Sequence, residues 1–316
     1  MANNQQEQQQ WKEEPATILI AGGGIVGLTL AMAVQSQLGI TPEIYEKTST
    51  FATEAGAGLG MYPNGLRVLR DISPELLQAV RAAGHPYGKR RWERHDGTEI
   101  TTAEETVLSE GEAELDPIGI RRSSLQKVLY KFAVDRGITT NFRKPLKDAE
   151  ELPNGLIKVT FGDDTTRLTQ ILFGADGALG KSRGIVAGAD APKIGYTGVT
   201  CLMGLAKIPC DGIRFPSSSK KDFHAVFFPT AKDEQCFQFH MPISKEDSNT
   251  LNWGNLSDEV GKIECQKIAT ELRKAGWHDE FIKPLDECIK AVRVGFALLK
   301  PRLKTWVRGN IALVSY

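Results

Sequence analysis

Residues 22–27 read Gly-Gly-Gly-Ile-Val-Gly, a G-x-G-x-x-G spacing. That spacing suits the pyrophosphate of a dinucleotide. Gly22 permits a tight turn, Gly24 lets the backbone approach the phosphates, and Gly27 lets a helix pack close to the preceding strand. A helix opening at Ile25 and Val26 offers the same phosphates unpaired N–H groups and a partial positive charge. Glu46 stands 22 residues after Gly24, where a carboxylate can accept hydrogen bonds from both hydroxyls of an adenosine ribose. A carboxylate there disfavours a 2′-phosphate, so NADP is not expected at this site. A second glycine turn, Gly174-Ala175-Asp176-Gly177, follows an apolar run and is followed by Arg183.

The elements around these residues must place them at strand ends. Residues 17–21 form a short apolar run between Pro15 and Gly22, read as a buried strand. Residues 25–38 carry apolar side chains at helical spacing and stop at Gly39, a natural C′ residue. Residues 43–46 make a second strand, which completes a βαβ unit and implies a parallel sheet. Pro63 and Ser73-Pro74 open two further helices, and Ser123 is read as the N-cap of a helix over 124–135. Residues 155–170 read as a hairpin turning at Gly162-Asp163-Asp164, and 171–173 as the buried strand that delivers Asp176 and Gly177. From about Lys193 the texture changes to short strands. A helical pattern returns over 257–275 behind Ser257, and 311–314 reads as a last apolar strand.

Length and composition set the outer limits. A chain of 316 residues suggests about two domains at roughly 150 residues each. Lys plus Arg is 39 and Asp plus Glu is 39, a balance that speaks against a nucleic-acid partner. No run approaches the roughly 18 apolar residues of a membrane span. Residues 1–14 read as a disordered polar tail without a targeting signal. The five cysteines contain no C-x-x-C and are odd in number, and the five histidines contain no i,i+4 pair, so no metal site is expected. A reducing, cytoplasmic setting follows from the cysteine pattern. Glycine is the one excess, with 31 residues where about 7% is usual, and eight of them fall between Gly22 and Gly60.

Several of these segments together resemble one family. Residues 174–183 (Gly-Ala-Asp-Gly-Ala-Leu-Gly-Lys-Ser-Arg), residues 56–64 (Gly-Ala-Gly-Leu-Gly-Met-Tyr-Pro-Asn), Arg121-Arg122-Ser123-Ser124-Leu125 and Tyr196-Thr197-Gly198 are similar, in order, to segments of the FAD-dependent aromatic hydroxylases. These are the single-component flavoprotein monooxygenases that include p-hydroxybenzoate, salicylate and kynurenine hydroxylases. Gly180 is a departure, since many members carry Ser there. The resemblance runs from about Thr17 to Val314. It implies an α/β fold: a Rossmann-like FAD-binding domain with a parallel sheet, plus a mixed-sheet α+β substrate domain. The expected boundaries are 15–192 for the FAD-binding domain, 193–290 for the substrate domain and 291–316 for a return to the first.

The resemblance also implies the chemistry. FAD would be held by Gly22, Gly24, Ile25, Val26, Gly27, Glu46, Gly58, Arg122, Asp176 and Gly177, with NADPH or NADH as co-substrate. Oxygen from O2 would reach a small aromatic substrate through a flavin C4a-hydroperoxide. Since the cofactor carries that reaction, no catalytic side chain is singled out. Phe223, Phe227, Phe228, Phe237 and Phe239 are candidates to line the substrate pocket, and homo-oligomerisation is left open. The family follows its last buried strand with Gly-Asp-Ala-Ala-His. Here 306–314 matches the approach, and Ser315 and Tyr316 stand where Gly and Asp are expected. A C-terminally truncated member is therefore expected, with a non-catalytic FAD- or ADP-binding remnant, or a regulatory decoy, as the alternative. A halogenase is disfavoured by the lack of G-W-x-W-x-I-P, and a plain NAD-binding Rossmann protein by Asp176-Gly177.

Overall fold

Strand Ala16–Ala21 is apolar along almost its whole length because both its faces are covered. It lies parallel to Thr166–Gly174 on one side, with Ala21 opposite Gly174, and parallel to Glu43–Tyr45 on the other. Ile311–Leu313 and Thr140–Asn141 extend the parallel sheet at its two ends, and Leu146–Glu151 and Ile157–Phe161 add an antiparallel meander. Helix Ile25–Leu38 makes the crossover and ends on Gly39 at φ 68°, whose N–H donates to the Gln35 carbonyl. The computed structural model describes residues 14–51, 56–103, 112–218, 223–249, 251, 253–300 and 302–314. The polar stretch 1–13 and the Ser315-Tyr316 pair, on which two expectations rest, lie outside the described residues.

The described residues divide into two units. The first takes Met1–Phe51, Leu129–Lys193 and Leu299–Tyr316, and the second Ala52–Val128 and Ile194–Leu298. The first holds the parallel sheet, with Leu19, Leu172, Val159 and Phe161 in its core. Tyr45 stacks on Phe161 at 4.3 Å and its hydroxyl donates a hydrogen bond to Glu43 at 2.8 Å. Burial pushes the Glu43 carboxyl up, but hydrogen bonds from Arg167 and Tyr45 outweigh it and hold the group below its ordinary range.

The second unit is built on an eight-stranded mixed sheet, in the order Gly254–Asn255, Cys288–Lys300, Lys193–Ala206, Glu234–Pro242, Phe223–Ala231, Gly212–Ser218, Lys89–Arg94, Glu99–Ala103. Helices Asp258–Lys274 and Asp279–Asp286 cover one face, burying Leu202, Phe227, Phe237, Phe239, Leu272 and Phe281. Ser257 caps the longer helix, its side chain accepting the Val260 N–H. A small sheet of Gly58–Met61, Ile118–Arg121 and His85–Pro86 completes the unit. Among the described residues no helix is long and apolar enough to cross a membrane.

Two expectations meet a different packing. Residues 52–128 cluster with 194–298 instead of with the nucleotide-type sheet, because strand Lys89–Arg94 pairs in parallel with Gly212–Ser218. Nothing local in residues 86–120 announces a partner more than a hundred residues away. The helix expected over 124–135 begins at Arg122, so Ser123 lies inside it and is no cap. The Arg122 N–H donates to the Ala57 carbonyl at 2.9 Å, continuing the strand pairing into the first helical residue.

Candidate functional site

The first glycine segment turns under tight steric limits. Gly22 sits at φ +110°, and a Cβ there would lie 2.3 Å from the Ala175 carbonyl oxygen. A Cβ on Gly27 would come within 1.9 Å of the Gly22 carbonyl oxygen, so the helix start is pressed against the turn. Gly24 differs: a Cβ there would meet nothing within 4 Å. The first helical hydrogen bond runs from Leu28 N–H to the Gly24 carbonyl at 3.0 Å. The N–H groups of Ile25, Val26 and Gly27 therefore precede the helix's own bonding and point out of its N-terminus. Together these features leave a cradle of donors beside empty space, the shape a pyrophosphate needs.

Glu46 reaches the same turn. It is buried, at 7% exposure, and its two carboxylate oxygens accept the Gly23 N–H at 2.7 Å and the Thr48 N–H at 2.9 Å. An ionised carboxylate has about four acceptor positions, so capacity for two hydroxyl donors is left. The bond to Gly23 also ties the second strand to the loop. Sequence spacing brought Gly22, Gly24, Ile25, Val26, Gly27 and Glu46 to one place.

Asp176 and Gly177 arrive from the neighbouring strand. The Ala175 N–H donates to the Ala21 carbonyl at 2.8 Å, so this turn leaves the sheet edge beside Gly22. Gly177 takes φ +79°, a conformation that favours glycine. The Asp176 carboxylate accepts the Ser182 N–H at 3.1 Å and also the Ser182 hydroxyl. A Cβ at position 180 would lie 2.1 Å from the Asp176 Cγ, which gives the family departure at Gly180 a local cause. The Nη1 atom of Arg183 is buried with no hydrogen-bond partner among the described residues.

Gly58 and Arg122 belong to the second unit. Gly58 donates its N–H to Cys236 Sγ at 3.3 Å, and a Cβ there would lie 2.7 Å from the Cys236 Cβ. Its lack of a side chain is thus accounted for by packing on the mixed sheet. The Arg122 side chain lies over Gly56, where a Cβ would be 2.8 Å from Arg122 Cδ. Arg121, its neighbour, makes a bidentate ion pair with the buried Glu234. The guanidinium of Arg122 has no such partner among the described residues.

Strand register decides the five phenylalanines. Phe227 lies opposite Phe237 and Ala225 opposite Phe239, and these side chains join the core beneath the helices. Phe223 packs against the same core. Only Phe228, opposite Cys236, faces the other way, toward Tyr87 and Ala57. Four of the five pocket candidates are therefore core residues. The other face carries a row the sequence reading missed: Cys201 opposite His240, His240 opposite His224, and His224 opposite Ser217. Met203, Gln238, Val226 and Phe215 form the next row, half-buried. His224 Nδ1 lies 3.1 Å from Ser217 Oγ, and His240 meets the Phe296 ring edge-on at 5.4 Å. Burial, and then the nearby His224, hold the His240 imidazole below its ordinary range. Burial pushes the Cys201 thiol up to about 12. The sequence signal was available: His224 and His240 stand equally far from Lys232, the centre of the intervening turn.

No family model matches the chain. The aurachin C monooxygenase/isomerase of Stigmatella aurantiaca is 30% identical over 305 residues, covering 95% of this chain and 73% of that protein. The 6-hydroxynicotinate 3-monooxygenase of Bordetella bronchiseptica is 26% identical over 309 residues, covering 94% and 75%. A longer curated relative, 30% identical over 228 residues, is spanned to only 32% of its length. Among solved structures, Klebsiella pneumoniae HpxO complexed with FAD and uric acid is similar in fold, with a TM-score of 0.76 at 22% identity, covering 95% of this chain and 72% of that one.

Proposed function

The chain belongs to the FAD-dependent monooxygenases, and we propose that it hydroxylates a small aromatic or similarly electron-rich substrate, using O2 and electrons from NADPH or NADH. The observation that carries this reading is the Gly22–Gly27 cradle, where the space beside Gly24 is open and Glu46 stands next to it. These residues fit FAD. The N–H groups of Ile25, Val26 and Gly27 would bind the pyrophosphate, and Glu46 the adenosine ribose. Asp176, Gly177, Gly58 and Arg122, whose guanidinium has no ion-pair partner among the described residues, are the further residues proposed to contribute to cofactor binding. FAD, when bound, supplies the two-electron chemistry and the activation of O2.

The chain's own work is then binding, orientation and exclusion of water. The face bearing Met203, Gln238, Val226 and Phe215 suits a flat apolar ring, and Gln238 offers it one amide. His240, kept neutral by its surroundings, can accept a proton from an acidic hydroxyl or ring N–H of the substrate. The relative that acts on 6-hydroxynicotinate supports an aromatic substrate with such a group.

The test is direct. The purified chain, alone and after incubation with FAD, is examined by visible absorption, and NADH and NADPH oxidation is followed with a panel of hydroxybenzoates and hydroxypyridines. Flavin bands that stay with the protein, and oxidation accelerated by one substrate class with oxygenated product, are expected. A colourless protein that FAD does not reconstitute would sink the reading.

A further inference from the structure

Three aromatic rings stand beside the Gly22–Gly27 turn. Phe51 follows strand Glu43–Tyr45, Tyr130 comes from helix Arg122–Asp135, and Phe142 directly follows strand Thr140–Asn141. The ring centroids of Phe51 and Tyr130 are 4.9 Å apart, those of Phe51 and Phe142 5.1 Å, and those of Tyr130 and Phe142 6.0 Å. The rings close a triangle in which every contact is edge to face and none is stacked. Each ring is half-buried, so the group shows solvent an aromatic surface.

That surface adjoins Glu46. A Cβ on Gly23 would lie 3.0 Å from Phe51 Cζ and 3.3 Å from Glu46 Cβ, so the ring and the stem of the carboxylate meet over one glycine. Backbone pairing holds Phe142 alongside. The Glu46 N–H donates to the Asn141 carbonyl and the Lys144 N–H to the Glu46 carbonyl, each at 2.8 Å. In a nucleotide whose ribose hydroxyls bond a carboxylate, the base hangs on the ring carbon next to the one that bears the 2′-hydroxyl. The base must therefore come down beside that carboxylate, and the neighbours it meets here are aromatic. A purine is flat and has a π-face, so stacking and edge contacts with such side chains suit it.

We propose that Phe51, Tyr130 and Phe142 form the seat of the adenine ring of FAD. This seat presupposes the reading of Gly22–Gly27 and Glu46 as the FAD site, and it adds the residues that recognise the base. It makes the adenosine half of the cofactor a ligand in its own right. ADP should bind without any flavin, and FMN, which lacks the adenosine, should bind poorly.

ADP is titrated calorimetrically into the full chain freed of flavin, and FAD and FMN by fluorescence, for the wild type and for Phe51→Leu, Tyr130→Leu, Phe142→Leu and Phe51→Tyr. Saturable ADP binding is expected that each leucine variant weakens about tenfold, with FAD weakened alike, FMN unchanged and Phe51→Tyr close to the wild type. Leucine keeps an apolar side chain at each position, and Tyr130→Leu and Phe142→Leu decide the matter if Phe51→Leu fails to fold. No saturable ADP binding up to roughly 1 mM, wild-type ADP affinity in the leucine variants that fold, or FMN weakened as much as FAD overturns the proposal. Ring-dependent ADP binding in a protein that oxygenates nothing would sink the oxygenation reading alone. Hydroxylation with FAD, in leucine variants whose ADP affinity is intact, would sink the adenine seat alone.

Discussion

Two glycine segments in this molecule press backbone against backbone or side chain, yet they do different things with the space. Around Gly22–Gly27 the protein fills the room at Gly22 and Gly27 and leaves Gly24 clear. Around Gly58–Met61 it fills every position it can: Cys236 and Phe228 close on Gly58, and the Tyr87 hydroxyl would lie 2.0 Å from a Cβ on Gly60. At a helix start whose first N–H groups are unbonded, a glycine beside empty space leaves room for a ligand. A glycine beside its own side chains is a packing residue, however similar the motif looks. Arg121 and Arg122 repeat the contrast in adjacent residues, one closed in an ion pair and one without such a partner among the described residues.

Substitutions can break that contrast. Arg121→Ala removes the partner of a buried carboxylate and should cost about 2–3 kcal/mol in a denaturant melt, whereas Arg122→Ala should leave stability nearly unchanged and weaken FAD binding. If the two arginines behave alike, the distinction fails. Gly58→Ala should destabilise by about 1–3 kcal/mol through overpacking against Cys236. Gly24→Ala should shift stability by less than about 1 kcal/mol and lower FAD affinity about tenfold, read by fluorescence titration. A Gly24→Ala protein that melts as early as Gly58→Ala would remove the reason for calling that space a binding site. Glu46→Gln keeps one acceptor and loses the charge, so a loss of about 1.5 kcal/mol in stability is expected together with weaker FAD binding.

The smallest effect is a pH slope. The folded pKa of His240 lies below the 6.5 of an exposed imidazole. As pH falls through 6.5 the unfolded chain takes up its proton first, so this residue makes stability decline from there down to the folded pKa. His240→Gln should flatten that part of a stability-against-pH curve. A slope unchanged in the variant would mean that the imidazole is not desolvated as described.

The cradle was legible in sequence because a βαβ unit is contiguous. Gly22, Gly27 and Glu46 are joined by one helix and two short strands, and local spacing alone sets them together. The mixed sheet was not legible in the same way. Which side of Phe227 and Phe228 is core depends on where helix Asp258–Lys274 lies, and the sequence of the strand carries no mark of that. The placement of residues 52–128 rests on the parallel pairing of Arg90 with Ile213, a contact too distant for periodicity to reveal. The histidine pair fell between these cases, visible only to a reading that folds the hairpin about Lys232. The N-cap at Ser257 and the hairpin over 155–170 were local and were found, while Ser123 was displaced by the strand that runs into its helix.

Asp176, Gly180 and Ser182 form an interlock with evolutionary weight. Because the carboxylate occupies the volume a side chain at 180 would need, and Ser182 supplies both of its hydrogen bonds, the three positions constrain one another's mutations. A side chain at 180 requires the Asp176 carboxylate to turn aside, which draws it away from Ser182. Among descendants of this sequence, changes at these positions should appear as linked sets, with single replacements at 180 the rarest.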